Sequence, residues 1–424
     1  MCFSLFKIVS SKRKAPPSDE APRTPSNDYS TDFHSSLHYT TGSSYNKHSS
    51  KSSFSSRASL SSLKDSLDDS PLIYSSSQIC TATNNFRVKP FHSSPSSTSW
   101  KCVIDRKEVV VTQRNLRRPI DTAELRRMLR LICKSHHVSL VKLCGASISG
   151  NSVYIVYEYV GGASLSECLK NPRNPSFTVL SNWISRVQIA ADIAHGIDYM
   201  HNCSGVKLGI VHNRIKSSSI IVTEPTLNAK LCHFGTAQLC GEVVETVDGE
   251  KEIVEEVPSF KRIGSGKMKF EGTRGYMSPE FQSTGIPTLK SDVFAFGVVI
   301  LELLSGQEPV KMRMDAEAGV LRKVSLIGTA REVVGTGSDS STGGSGDGWG
   351  RLRKWVDWRL KDSYPVDVAE RMVRVALECV HDDPDKRPDM NRVAGWISKL
   401  YLESKIWAEN FGFPTDFTVS LAPR

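Results

Sequence analysis

The run Ser291–Gly306, "SDVFAFGVVILELLSG", constrains the fold more than any other stretch of the chain. Read as a helix it is apolar nearly all round, so it has no face to give to water and belongs at the centre of a lobe. A second run, "SNWISRVQIAADIAHGIDYMH", places Ile189, Ile193, Ile197 and Met200 at helical spacing. What precedes these helices is strand-rich. "WKCVIDRKEVVVTQRNL" alternates and carries β-branched residues, which predicts a hairpin. "TAELRRMLRLICKS" has helical apolar spacing at Leu125, Met128, Leu129 and Ile132, and "SVYIVYEYV" reads as a buried strand. The expected class is α+β and bilobal. A small β-rich lobe covers about 78–159, a larger helical lobe about 160–404, and a tail 405–424.

The chain before residue 78 is of another kind. Of the fifty residues from Thr31 to Cys80, eighteen are Ser. Such a segment buries too little apolar surface to offset its ordering entropy, so residues 1–77 are predicted to be disordered. Cys2 stands where N-myristoylation needs a Gly, which excludes that modification. Acylation of Cys2 beside Lys7, Lys12, Arg13 and Lys14 would supply the two weak signals that a stable anchor needs. Cys2 is therefore the lipidation candidate, and a membrane surface is a candidate partner of the N-terminus. No run of about 18 or more apolar residues occurs, so no membrane span is expected. The N-terminus lacks a secretory pattern. The ten Cys, with no C-x-x-C pair, read as reduced thiols. The expected location is cytoplasmic, free or peripheral at the inner face of the plasma membrane. A net charge of +9 is modest for 424 residues, and no nucleic-acid partner is expected.

Two inserts interrupt the helical lobe. "GEVVETVDGEKEIVEEV" holds seven acidic residues and one Lys, an acidic insert over 242–256 ahead of the basic "FKRIGSGKMK". "GTGSDSSTGGSGDGWG" reads as a flexible low-complexity loop.

The motifs "IVHNRIKSSSIIV", "AKLCHFGTAQL" and "GTRGYMSPE" follow the strand–helix–strand series in order. Together with "TATNNF", "HHVSLVKLCG", "VYEYV", "RLKDSYPVD" and "DPDKRP", they make the chain resemble a plant receptor-like protein kinase domain over roughly 78–404. The similarity is to the LysM-receptor branch, without its ectodomain or membrane span, as in a receptor-like cytoplasmic kinase. The resemblance implies Ser/Thr phosphoryl transfer from ATP, in which the protein positions groups and neutralises charge.

The residues at the transfer positions are unlike the family's. Matching "SWKC" to the family's V-Y-K-G puts His92, Ser94 and Ser97 at the three glycine positions of the phosphate loop, and Pro95 removes a donor. The strand Lys is replaced by Thr112 or Gln113, depending on register, and the helix Glu by Met128, with Glu124 one turn earlier as the nearest acid. Strand alternation and the family pattern turn Lys101 and Lys107 to solvent. In the H-R-D triplet stand His212, Asn213 and Arg214, so the implied base is Arg214, which cannot accept a proton. Ser219 takes the metal-binding Asn position, and His233 the metal-binding Asp position of D-F-G. A neutral His is a poor Mg²⁺ ligand, because that hard ion prefers oxygen. No functional catalytic residue, no metal and no required cofactor are expected.

The scaffold positions match the family. The resemblance implies a spine of Ile132, Leu143, His212 and Phe234, anchored by Asp292, and an ion pair between Glu280 and Arg387. The implied adenine hinge is Glu158, Tyr159 and Val160, behind Tyr157. Three functions are compatible with this pattern. The first is a pseudokinase that acts as scaffold or allosteric partner of active receptor kinases. The second is a weak or atypical kinase using displaced residues, and the third a sensor holding ATP without metal.

Overall fold

The computed structural model describes residues 72–133, 135–170, 180–203, 209–243, 272–314, 319–335 and 345–411, with backbone alone at 72, at 203 and over 345–348. Cys2, the chain up to residue 71, residues 244–271 of the acidic and basic insert, and residues 412–424 lie outside these.

The described chain opens with β1 (Leu72–Ile73) and α1 (Ser76–Ala82). Order thus begins ahead of the expected boundary at residue 78. Ser75 accepts from the Gln78 N–H, and Gln78 accepts from the Ser75 N–H at 2.8 Å. This reciprocal cap starts the helix, and Ile79 then packs into one cluster with Tyr74, Ile104, Val109, Val111 and Val156. Next come β2 (His92–Ser94), β3 (Ser97–Ile104), β4 (Lys107–Asn115), α2 (Thr122–Ile132), β5 (Leu143–Ser149) and β6 (Ser152–Glu158). The six strands form one sheet in the order β1-β5-β6-β4-β3-β2. The expected hairpin is β3–β4, closed by Asp105 and Arg106 at φ 50° and 63°, the left-handed pair a two-residue hairpin turn demands. Asp121 caps α2, accepting from the Glu124 N–H at 2.7 Å, and the helix buries Leu125, Met128, Leu129 and Ile132 as their spacing predicts.

The lower lobe begins with β7 (Ala163–Ser164), α3 (Leu165–Lys170) and α4 (Trp183–Asp198). There follow β8 (Ile220–Val222), β9 (Ala229–Leu231), α5 (Thr236–Leu239), α6 (Pro279–Thr284) and α7 (Leu289–Ser305). The ribbon β10 (Val310–Met314) and β11 (Leu321–Ser325) comes next. The last elements are α8 (Leu326–Val334), α9 (Ser345–Trp355), α10 (Val366–Cys379) and α11 (Met390–Asn410). The all-round apolar run is α7, buried from Ser291 to Ser305. α10 crosses α7 closely enough that Gly297 is required, since a Cβ there would stand 2.7 Å from Cys379 Cβ.

Two boundaries differ from expectation. α9 takes in Ser345–Gly350, which low complexity assigned to a loop. Leu352 and Trp355 are buried in the core and hold the end of that helix on the lobe. α11 continues past residue 404, because Ser404 and Ala408 are buried and Ser404 Oγ accepts from Trp183 Nε1 at 2.9 Å. The largest core cluster runs through both lobes and includes Ile132, Leu143 and Phe234.

Candidate functional site

The turn between β2 and β3 falls at Pro95 and Ser96. Ser94 pairs with Ser97 in register, and their hydroxyls are 2.9 Å apart. Two of the three glycine-position residues therefore hold each other, and His92 pairs with Ser99. On β4 the register question resolves in favour of Thr112. It is buried, with its hydroxyl 2.9 Å from that of Ser99, while Gln113 faces the other way and donates to Ser152 Oγ at 3.3 Å. Met128 is buried, and Glu124 accepts from Arg118 at 2.5 Å on the outside of α2. No ion pair thus joins β4 to α2 at the Thr112 and Met128 positions.

Lys101 departs from expectation. Its strand position puts it on the same face as Ser99, with Nζ 3.5 Å from the centroid of the Tyr159 ring and 2.9 Å from Glu108. Its side chain is 35 % exposed rather than turned fully to solvent. The reason is this cation–π and ion-pair hold at the hinge. Lys101 pairs with Val110, two rungs from the Ser99–Thr112 pair on the same face of the sheet.

The catalytic-loop triplet is held from below by α7. Asp292 accepts from the His212 N–H at 2.7 Å and from the Asn213 N–H at 2.8 Å. The ring of His212 bonds the Cys232 carbonyl at 2.8 Å, and burial pushes its pKa down to about 4. Asn213 adopts φ 61°. The Arg214 guanidinium closes on both carboxylate oxygens of Glu242, with Nη1 2.8 Å from Oε2. Asn213 Nδ2 donates to the same carboxylate at 2.9 Å. Burial alone would raise the Glu242 pKa, but the hydrogen bond and charge of Arg214, with the charge of Arg114, bring it below its ordinary value. Arg214 and Glu242 are 11 % and 7 % exposed, so water does not screen this pair.

Neither Glu242 nor Arg114 stood out in the sequence. Arg114 lies two residues beyond Thr112 on the same face of β4, with Nη2 3.5 Å from Ser96 Oγ. Strand alternation was a usable signal for it. Glu242 is the first acid of the insert, and nothing local marks it as the partner of a residue 28 positions earlier.

His233 is partly buried, and its pKa falls well below the ordinary value. Burial is the main cause, followed by the charges of Arg214, His212, Arg114 and Lys216. Ser219 is buried, with no hydrogen-bond partner for its hydroxyl among the described residues. A neutral imidazole, a hydroxyl and a carboxylate already held by Arg214 and Asn213 do not make a Mg²⁺ site, which needs oxygen ligands and neutralising charge. These residues do not fit the metal, and no step is derived through it. After Phe234 the chain forms α5, which packs on α2. Tyr157 lies behind the hinge, its hydroxyl 2.9 Å from the Phe234 carbonyl and 2.7 Å from Thr236 Oγ1. At the hinge itself, the N–H groups of Glu158 and Tyr159 donate to the Lys142 and Glu108 carbonyls at 3.0 and 3.1 Å. A nucleotide there would draw on Val160.

Below the cleft, Arg387 grips Glu280 with two bonds of 2.7 Å and also donates to the His381 and Lys290 carbonyls. This is the expected pair, buried on the Arg side.

The model of the protein kinase domain matches residues 96–395, most of the chain. The chain belongs to the protein kinase domain family. Its relatives include LysM domain receptor-like kinase 3 of Arabidopsis thaliana, 32 % identical over 80 % of this chain and 48 % of that protein. Chitin elicitor receptor kinase 1 of Arabidopsis thaliana is 32 % identical over 66 % of this chain and 39 % of that protein. The chain thus spans about half or less of the length of these relatives. Among solved structures, the pseudokinase domain of BIR2, described as an immune regulator of the RLK/Pelle family, aligns with a TM-score of 0.55. It is 22 % identical and covers 80 % of this chain and 91 % of that one, a likeness of fold. Within the kinase fold, then, Arg214, which the resemblance places at the base position, is held by Glu242. Among the described residues no helix is long and apolar enough to cross a membrane.

Proposed function

We propose that this chain is a kinase-fold signalling protein that transfers no phosphate and works as a scaffold or allosteric partner of active receptor kinases. The Arg214–Glu242 closure carries the reading. A guanidinium stays protonated, so the position that must accept the substrate hydroxyl proton donates hydrogen bonds instead. Loss of a positioned base costs roughly 10²–10⁴ in rate. Here it accompanies Thr112, Met128, Ser219 and His233 at the other transfer positions. No cofactor is required. Other protein kinases or receptor complexes are the proposed partners, in keeping with relatives named as receptor kinases. Acylated Cys2 with its basic neighbours is the proposed anchor at the inner face of the plasma membrane.

One observation favours a second reading. Arg114, Lys216 and Lys101 bring cations toward the cleft, which suits a nucleotide held without metal. Thermal shift with ATP, with and without Mg²⁺, separates the readings. The scaffold reading expects no shift in either. A shift without Mg²⁺ supports the sensor, and a shift that requires Mg²⁺ overturns both.

A further inference from the structure

A cavity of about 340 Å³ opens on the lower lobe between α3, the turn after Arg214, the chain at Thr273–Tyr276 and β10. Lys170, Lys216 and Arg274 line it, with the Ser218 and Thr273 hydroxyls and one carboxylate, Glu308. Lys170 is committed to the buried Glu302 at 2.5 Å. Lys216 and Arg274 are left as the cations that face the cavity, and Lys216 Nζ donates to the Thr273 hydroxyl at 3.3 Å. Two cations beside two hydroxyls suit a dianionic tetrahedral oxyanion. Burial and the charges of Arg214 and Arg114 also lower the Lys216 pKa, a repulsion that an anion in the cavity relieves.

The wall formed by β10 continues outward as the β10–β11 ribbon. Met312 lines the cavity, and the pairing of Met314 with Leu321 puts Met312, Met314 and Leu321 on one face of the ribbon, with Lys323 opposite Met312 on that face. The three apolar side chains are 56 %, 61 % and 55 % exposed. A two-stranded ribbon is marginal by itself, and this face adjoins the cationic cavity through Met312. We propose that the groove binds a phosphorylated serine or threonine within an extended segment of a partner protein. The phosphate lies on Lys216 and Arg274, and apolar side chains of the same segment lie on Met312 and Met314. Such a group is what an active Ser/Thr kinase makes, so the inference rests on the reading of this chain as a partner of active kinases and names the chemistry recognised.

The test uses the full chain and a fluorescein-labelled degenerate library of short peptides with a fixed central phosphoserine. The same library with serine serves as reference, and binding is read by anisotropy. The phosphorylated library binds about tenfold tighter or more, as charge-assisted bonds predict. Arg274→Glu, at an exposed position, and Lys216→Met each abolish the difference, and Met312→Asp weakens phosphopeptide binding. Arg274→Glu leaves the melting temperature unchanged, which separates lost recognition from lost fold. Equal affinity for the two libraries overturns the proposal, as does discrimination that survives both cation substitutions. Failure here is distinct from failure of the inactive reading, which shows as phosphate transfer.

Discussion

At the scale of single residues, the cleft is defined by where its charges pair. Arg214 alone, buried beside Arg114 and Lys216, would be costly, and Glu242 makes it tolerable by accepting two bonds from it. Breaking such a pair from one side leaves a buried charge behind. Arg214→Ala is expected to lower stability by about 3–5 kcal/mol, measured by urea unfolding. The pair Arg214→Met with Glu242→Met should cost less than either single change. Equal costs for the double and the sum of singles would contradict the pairing. His233 gives a second expectation. Its folded pKa lies well below 6.5, so the folded state keeps it neutral while the unfolded chain takes up the proton. Its contribution is present above about pH 6.5 and is lost as pH falls. The melting temperature of the chain relative to His233→Asn should therefore drop between about pH 7 and pH 5. A difference that stays flat across that range would contradict the burial of a neutral ring.

At the scale of elements, the short helix α5 depends on the glycine that opens it. Gly235 caps it at φ 76°, and a Cβ there would stand 2.7 Å from Ile132 Cγ2 of α2. Gly235→Ala combines a left-handed backbone with a clash, and about 1–3 kcal/mol of stability should be lost, read from the denaturation midpoint. Arg387→Ala should cost about 3–5 kcal/mol, since it strands Glu280 and removes bonds to the His381 and Lys290 carbonyls. Much of this layer was legible in the sequence. The all-round apolar run could only be a central helix, and the alternation around Asp105 and Arg106 could only be a hairpin. The spine and the Glu280–Arg387 pair followed from resemblance. The partner of Arg214 did not, because Glu242 reaches it only after α5 has turned the chain back. Strand alternation and the family pattern could not show Tyr159 and Glu108 holding the partly exposed Lys101.

At the scale of the whole molecule, two classes of residue have parted company. Asp292, His212, Phe234, Glu280 and Arg387 keep the bonds and burial that hold two lobes around a cleft. Thr112, Met128, Arg214, Ser219 and His233 stand where the resemblance places the lysine–glutamate pair, the base and the metal ligands. On the proposed reading, a chain that keeps the first set and lacks the second presents surfaces rather than turning over substrate. The most direct test is phosphate transfer from labelled ATP with Mg²⁺, to the chain itself and to a general Ser/Thr substrate protein. No incorporation above a heat-denatured control is expected. Incorporation that disappears in Lys101→Ala or Lys216→Ala would contradict the account, because the chain would then be an enzyme using displaced lysines.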